Sequence, residues 1–195
     1  WDMVVQMQGN GTLVNAMLAL FGAKKVIGYY PENHPEQHVP AGATLMPYPQ
    51  AEHEVVRHVR MLHVAGIPAQ GYDLEFPVTE ADKAKLGALP ALANVVPGGY
   101  VCLHAGGISG RRWPEKQFAR IGDALAERGF MVVLTGTAAE TPIIEMVEEL
   151  MRHPAVSVAG QTDLGSLAAL LRGSALLVSN DTGVSHLAAA CHVPS

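Results

Sequence analysis

The sequence predicts an α/β protein built on parallel sheets, in two successive units. Three observations carry that expectation. Short apolar runs alternate with stretches of helical periodicity, which places parallel strands beneath covering helices. From Tyr100 onward the alternation is strict and continues to the end of the chain. Near the C-terminus, a short apolar strand crosses the polar turn Ser179-Asn180-Asp181-Thr182-Gly183 into a helix of small residues. Strand, tight polar turn and helix together are how such proteins offer backbone N–H groups to an anion.

Taken in order, Met3 to Met7 reads as a buried strand, followed by the turn Gln8-Gly9-Asn10-Gly11. A helix over 12–21 places Leu13, Met17, Leu20 and Phe21 on one face, and Gly22 stops it before a strand over 25–29. This strand–helix–strand unit makes a parallel pair. Residues 30–50 hold Pro31, Pro35, Pro40, Pro47 and Pro49 with His34 and His38, and read as a long loop of the functional kind. An amphipathic helix over 51–65 carries Val55, Val59 and Leu62 in register, with Gly66 and Pro68 behind it. Its histidines, His53, His58 and His63, step about 140° around a helix and so do not share one metal. A short strand over 74–77 and a weak helix over 79–86 lead to Gly87–Gly99, rich in Pro and Gly. We expect the domain boundary there, near Pro97, giving domains 1–96 and 97–195.

Beyond it, the strand over 100–105 precedes the loop Gly106-Gly107-Ile108-Ser109-Gly110. Pro114 opens a helix with Phe118, Ile121 and Leu125 inward and Gly129 behind it. Strand 130–135, helix 139–151, strand 156–159, helix 163–172, strand 175–179 and helix 182–191 follow.

Composition narrows the class. Of 195 residues, 49% are hydrophobic and 16% charged, which is globular and not disordered. A formal charge of −5, from 13 Lys+Arg against 18 Asp+Glu, argues against a nucleic-acid binder, which would need a clustered basic face. Cys102 and Cys191 each sit in an apolar stretch and read as buried thiols. No run spans a bilayer and none reads as a signal peptide, so a cytoplasmic protein is expected. The chain opens inside an apolar run and stops where a further strand is due, so we expect an internal piece of a longer protein.

Ligands of parallel sheets sit at the strands' carboxyl ends. Four loops lie there in the second half: His104–Trp113, Gly136–Glu140, Gly160–Asp163 and Asn180–Gly183. Gly106, Gly107 and Gly110 supply flexible amides beside Arg111 and Arg112. The last loop supplies a helix N-terminus at Thr182 and Gly183, and dipole and guanidinium both favour a phosphate. Plainer roles stand beside these. Glu140 follows Thr137 at capping-box spacing, Asp181 is placed to cap the last helix through the Val184 N–H, His186 fits a core histidine, and Trp113 fits packing. Ser179, Ser185, Asp181 and His186 crowd together, but there is no Gly-x-Ser-x-Gly elbow, and Ser185 and His186 point about 100° apart on a helix. Neither a dinucleotide fingerprint nor a Walker loop is present.

The run Ser179-Asn-Asp-Thr-Gly-Val-Ser-His-Leu-Ala-Ala-Ala, ending in Val193-Pro194, closely resembles the signature of glycosyltransferase family 9, the heptosyltransferases of the lipopolysaccharide inner core. Val101-Cys-Leu-His-Ala-Gly-Gly with Arg111-Arg112-Trp113-Pro114, and Leu134-Thr-Gly-Thr-Ala-Ala-Glu140, look like two further family motifs in the same order. Trp1–Gly9 and Val26–Tyr29 match more loosely. The resemblance implies a GT-B architecture of two Rossmann-like domains, both incomplete here, with 97–195 holding the nucleotide sugar. It implies an inverting transfer of heptose from a nucleoside diphosphate donor, ADP expected, to a lipid-linked core acceptor, without metal. Other GT-B chemistry on a different nucleotide sugar, and a non-catalytic nucleotide-binding module, are the alternatives. Carried across, Arg111 takes the basic diphosphate-contact position, and Arg111 with Asp181 would stabilise the leaving group. Gly106 and Gly107 replace hydroxyl residues of some members, so phosphate contacts there would be backbone only. Glu140 would face the ribose and Thr162 the base, while Asp181, Thr182, Gly183 and His186 line diphosphate and sugar. The candidate general base falls upstream of Trp1, so the fragment alone is expected to be inactive. Peripheral contact with the inner membrane would accompany such an acceptor.

Overall fold

The computed structural model describes residues 1–33, 42–108 and 110–195. His34, Pro35, His38 and Pro40 of the expected long loop, and Ser109, lie outside the described residues. The chain divides into two units, Trp1–Asp73 and Leu74–Ser195.

In the first unit, β1 (Met3–Val5), β2 (Lys25–Tyr30) and β3 (Ala43–Pro47) form a parallel sheet in the order β1-β2-β3. The strand β3 falls inside the stretch expected to be loop. Pairing with Val26–Tyr30 and burial of Met46 outweigh its turn-rich surroundings, and Pro47 is tolerated at the end of an edge strand. Between β1 and β2 runs α1 (Val14–Leu18), extended by a 3-10 turn over Ala19–Phe21 and stopped by Gly22 at φ 60°. Its buried face is not the expected one. Leu13, Met17, Leu20 and Phe21 are exposed, and Asn15 and Leu18 are buried instead. The Asn15 side chain donates to the Tyr29 carbonyl at 2.8 Å, and this tertiary bond sets the helix's rotation. The helix α2 (Glu54–Val64) opens on His53, whose Nδ1 accepts from the Val55 N–H at 3.4 Å, while His58 pairs with Glu54 at 3.0 Å. Met61 of α2 joins Ile27, Tyr29 and Met46 in a small core, and the Tyr29 hydroxyl donates to the Arg57 carbonyl.

The second unit follows the alternation closely. Strands β4 (Tyr100–His104), β5 (Met131–Leu134), β6 (Ala155–Ser157) and β7 (Leu176–Ser179) are all parallel, in the order β6-β5-β4-β7. Successive residues of β4 feed opposite cores, because side chains alternate across a strand. Tyr100 and Cys102 join Val133, Leu177 and Leu187 on one face; Val101 and Leu103 join Val132, Leu134 and Phe118 on the other. The second core packs under α4 (Glu115–Ala126) and α5 (Thr141–Leu150), the first under α6 (Leu164–Gly173) and α7 (Gly183–Ala190). Full burial of a side chain such as Phe118 is worth roughly 1.5–3 kcal/mol. Trp113 packs edge-on against Phe118 with centroids 5.6 Å apart, and Pro114 is the residue before α4 rather than its first helical one. Burial pushes the Cys102 thiol up to about 12. Among the described residues no helix is long and apolar enough to cross a membrane.

The compact units part at Asp73, ahead of the boundary expected near Pro97. Residues 74–96 pack on the second unit: Phe76, Val78, Leu86, Leu89 and Leu92 lie against its first core. Lys85 of α3 (Glu80–Gly87) pairs with Asp163 at 2.6 Å, and Arg172 donates to the Phe76 carbonyl at 2.9 Å. The Pro and Gly cluster therefore marks a turn within a unit. Residues 74–77, expected as a strand, form no ladder and run irregularly into α3.

Strand order reverses at β4, with β5 on one side and β7 on the other. The crevice beyond the carboxyl ends of β4 and β7 is where such a sheet receives a ligand.

Candidate functional site

Two loops meet at that crevice, and one side chain bolts them together. Asn180, just beyond β7, donates from Nδ2 to the carbonyls of Ala105 (3.1 Å) and Gly106 (2.9 Å). Its Oδ1 accepts from the Trp113 N–H at 2.9 Å. Both ends of the amide are thus committed to the loop after β4.

At its first two glycines that loop has no room for side chains. A Cβ on Gly106 would overlap the Glu140 carboxylate, and one on Gly107, at φ +129°, would come within 2.8 Å of the Thr182 methyl. Glu140 Oε1 accepts from the Gly107 N–H at 2.9 Å, and Oε2 accepts from both the N–H and hydroxyl of Thr137 at 2.8 Å. The capping-box role of Glu140 is therefore present, and it takes the Gly107 amide that the resemblance would have given to phosphate. Burial pushes the Glu140 pKa up, but the bonds from Thr137 and Gly107 and the nearby His104 outweigh it, leaving the carboxyl below its ordinary range.

Beneath Glu140 lies His104, the last residue of β4 and buried. Its Nδ1 is 3.1 Å from the Thr135 hydroxyl, and its Nε2 is 3.8 Å from Glu140 Oε2. Burial lowers its pKa more than the Glu140 charge raises it, so the ring is neutral at pH 7.

The other wall is the start of α7. Thr182 precedes the helix without making a side-chain capping bond, and its buried Oγ1 has no hydrogen-bond partner among the described residues. Asp181 does not cap through Val184 as expected. The chain places Thr182, not Asp181, at the capping position, and the Asp181 side chain is exposed. First-turn amides of a helix have no intrahelical partner, so an uncapped start carries about half a positive charge. Ser185 donates to the Thr182 carbonyl at 2.7 Å and is not paired with His186, which fits the absence of a hydrolytic triad.

A cavity of about 630 Å³ opens between these walls. Gly107, Glu140, Thr162, Thr182 and Gly183 line it, with His104 at its floor and Leu164, Leu167 and Val184 as an apolar side. Gly106 is buried beside it. The remaining candidates fall elsewhere. Asp181 lines a separate open hollow with Ser179, Asn180 and Ser185. Arg111 and His186 are exposed, line neither space, and make no side-chain hydrogen bond or ion pair among the described residues. Exposure removes the core-histidine reading of His186. His104, Thr135 and Asn180 escaped the sequence reading as site residues. A lone histidine closing an apolar strand, and an amide just past another, were the signals available.

A parallel α/β unit with an uncapped helix start at its switch point is a Rossmann-like unit of the kind that receives ligands at its strand ends. The model for Glycosyltransferase family 9 (heptosyltransferase) matches residues 1–195, and the chain belongs to that family. It is 27% identical to lipopolysaccharide heptosyltransferase 2 of Escherichia coli K12 over 151 residues, 72% of this chain and 43% of that one. Among solved structures, the family 9 glycosyltransferase of Veillonella parvula superposes with a TM-score of 0.76 at 20% identity, covering 99% of this chain and 55% of the other. The E. coli heptosyltransferase WaaC with ADP gives 0.65 at 20% identity, covering 100% and 59%. At those identities the structures share the fold. The chain spans about half or less of the length of the curated relatives it matches, from 25% to 53%.

Proposed function

We propose that the intact protein transfers a heptose from a nucleoside diphosphate donor to the inner core of lipopolysaccharide, with inversion, and that the unit Leu74–Ser195 holds the donor. One observation carries this reading: the uncapped start of α7, with Thr182 Oγ1 buried and unpartnered, faces the same cavity as Glu140 and Thr162. An anion there gains the helix dipole and the free first-turn amides without displacing an existing cap.

In the reaction the acceptor hydroxyl attacks the anomeric carbon, the bond from that carbon to the diphosphate oxygen breaks, and the hydroxyl proton passes to a base. This chain supplies the leaving-group half. The α7 N-terminus carries the charge that develops on the diphosphate. Arg111, which lies outside the cavity in this structure, is assigned to the same role by the family resemblance alone, and no metal is used. Asp181 and His186, both outside the cavity in this structure, are assigned to the sugar side by the family resemblance alone, and Gly106 and Gly107 keep the opposite wall bare. Thr162, with Leu164 and Leu167, receives the base, for which adenine is proposed because a relative of the same fold is solved with ADP. The family resemblance assigns the base that accepts the proton to a residue outside these 195.

The test uses the intact protein, ADP-heptose and a deacylated core acceptor, with product analysis. Transfer is expected. Arg111→Ala should lower kcat/KM for the donor about tenfold or more, the value of a charge-assisted contact. Unchanged kinetics would remove Arg111 from the site, and failure of ADP to bind in calorimetry would remove the nucleotide reading altogether.

A further inference from the structure

At the end of the second sheet opposite the crevice lies another pocket, of about 330 Å³. Tyr100, which opens β4, and Gly173, which closes α6, both line it, so it sits at the amino ends of the strands. The stretch that packs on this unit from outside the sheet forms one wall, with Leu86, Leu92 and Val95, and α6 forms the other, with Ala169 and Leu170. Small-molecule sites start at about this volume. A helix about 10–12 Å across does not enter it, which excludes a folded peptide as the occupant.

The interior suits an apolar body, because its polar atoms are already engaged. The Tyr100 hydroxyl donates to the Leu170 carbonyl, and the Gly173 carbonyl accepts from the Gly98 N–H at 2.7 Å. The rim is different. Lys83 and Arg172 line the pocket and no carboxylate does, in a chain whose formal charge is −5. Lys83 has Glu80 at 2.6 Å, a carboxylate that is not among the lining groups. Arg172 donates from Nη2 to the Phe76 carbonyl at 2.9 Å and pairs with no carboxylate among the described residues. A guanidinium has five N–H donors, so Arg172 keeps donors for an anion. A sugar or nucleotide would lose its hydration inside without gaining partners. An apolar body with one anionic head matches both the interior and the rim.

We propose that this pocket is a second binding site, for a medium-chain alkyl carboxylate, separate from the cavity at the strands' carboxyl ends. The alkyl chain lies between Leu86, Leu92 and Val95 on one side and α6 on the other, above Tyr100, and the carboxylate stands at the rim with Lys83 and Arg172. The proposal does not rest on the nucleotide reading. One helix nevertheless serves both spaces: α6 lines the first cavity with Leu164 and Leu167 and this pocket with Ala169 and Leu170.

Calorimetry on the intact protein with octanoate tests this, and saturable binding of one equivalent is expected. Hexanoate, two methylenes shorter, should bind about tenfold more weakly. The uncharged analogue 1-octanol should bind about fivefold more weakly, and Lys83→Gln and Arg172→Gln should each weaken octanoate by about two- to fivefold, the range of an exposed ion pair. Ala169→Leu adds bulk to the α6 wall and should abolish binding. Gly87 also lines the pocket, and a Cβ there would meet nothing within 4 Å, so Gly87→Leu is the filling variant that decides if Ala169→Leu does not fold. Saturating ADP should leave octanoate binding unchanged. The proposal is overturned if octanoate does not saturate, if 1-octanol binds as tightly, or if the filling variants bind octanoate as the parent does. Displacement by ADP also overturns it, since octanoate would then occupy the other cavity. If ADP does not bind at all, the nucleotide reading fails and the filling variants still decide this one.

Discussion

The two units are written in the same alphabet of parallel strands and intervening helices, yet they bury themselves differently. In the second, every central strand sends alternate side chains into two cores, and both sheet faces are covered by helices. In the first, a three-stranded sheet shares one small core of Ile27, Tyr29, Met46 and Met61, while α1 and its 3-10 extension leave Met17, Leu20 and Phe21 in solvent, as does Leu13 just before them. Periodicity reports which residues share a face. Whether that face meets anything is decided by what the rest of the fold provides, and here the two units part ways.

The contrast is broken or sharpened most strongly in the second unit's core. Leu134 is fully buried beneath α5, among Val132, Ile144 and Val147. Leu134→Ala should destabilise the chain by about 2–5 kcal/mol, read as a lower denaturant midpoint at unchanged slope. A cost below about 1 kcal/mol would mean that this core is no better packed than the first unit's, and the distinction would collapse.

Much of the second unit was legible because its local and global signals agree. Strands such as Val101–Leu103 and Val132–Leu134 are short and apolar throughout, as buried parallel strands must be. Glycines such as Gly129, at φ 90°, stop the helices where expected. The first unit's failures share a cause. The strand β3 hides among prolines because its pairing with β2 is a contact made across the sequence, and α1 is turned by an Asn15 bond to Tyr29 that no helical pattern records. The candidate site divides the same way. Gly107, Thr182 and Gly183 follow from strand ends and a helix start. His104 and Asn180 do not, because their roles depend on partners some 35 and 75 residues away along the chain, beyond the reach of any local motif.

A smaller effect is expected where the second unit is tight for a functional reason. At Gly106 the space a methyl would take is filled by the Glu140 carboxylate, itself bonded to Gly107 and Thr137. Gly106→Ala must push that carboxylate aside or move the loop, at a cost of about 1–3 kcal/mol. The same change should weaken ADP binding, because Glu140 would no longer hold Gly107 and face His104. Stability and calorimetry on one variant separate the outcomes: lost stability with intact binding would show that the Glu140 clamp is structural only.

The smallest effect belongs to the face that the first unit leaves open. Leu20 is 88% exposed. In the 195-residue chain, Leu20→Ala should change stability by no more than about 0.5 kcal/mol, since surface changes that touch nothing are near neutral. A loss of about 2 kcal/mol or more in urea denaturation would mean that this face is covered in solution. Concentration dependence of the loss would then identify a second copy of the chain as the cover. Repeating the pair of measurements in the intact protein extends the comparison. A cost that appears only there would show that the apolar face of 12–21 was patterned correctly all along, and that Leu13, Met17, Leu20 and Phe21 describe a contact made with residues outside this chain.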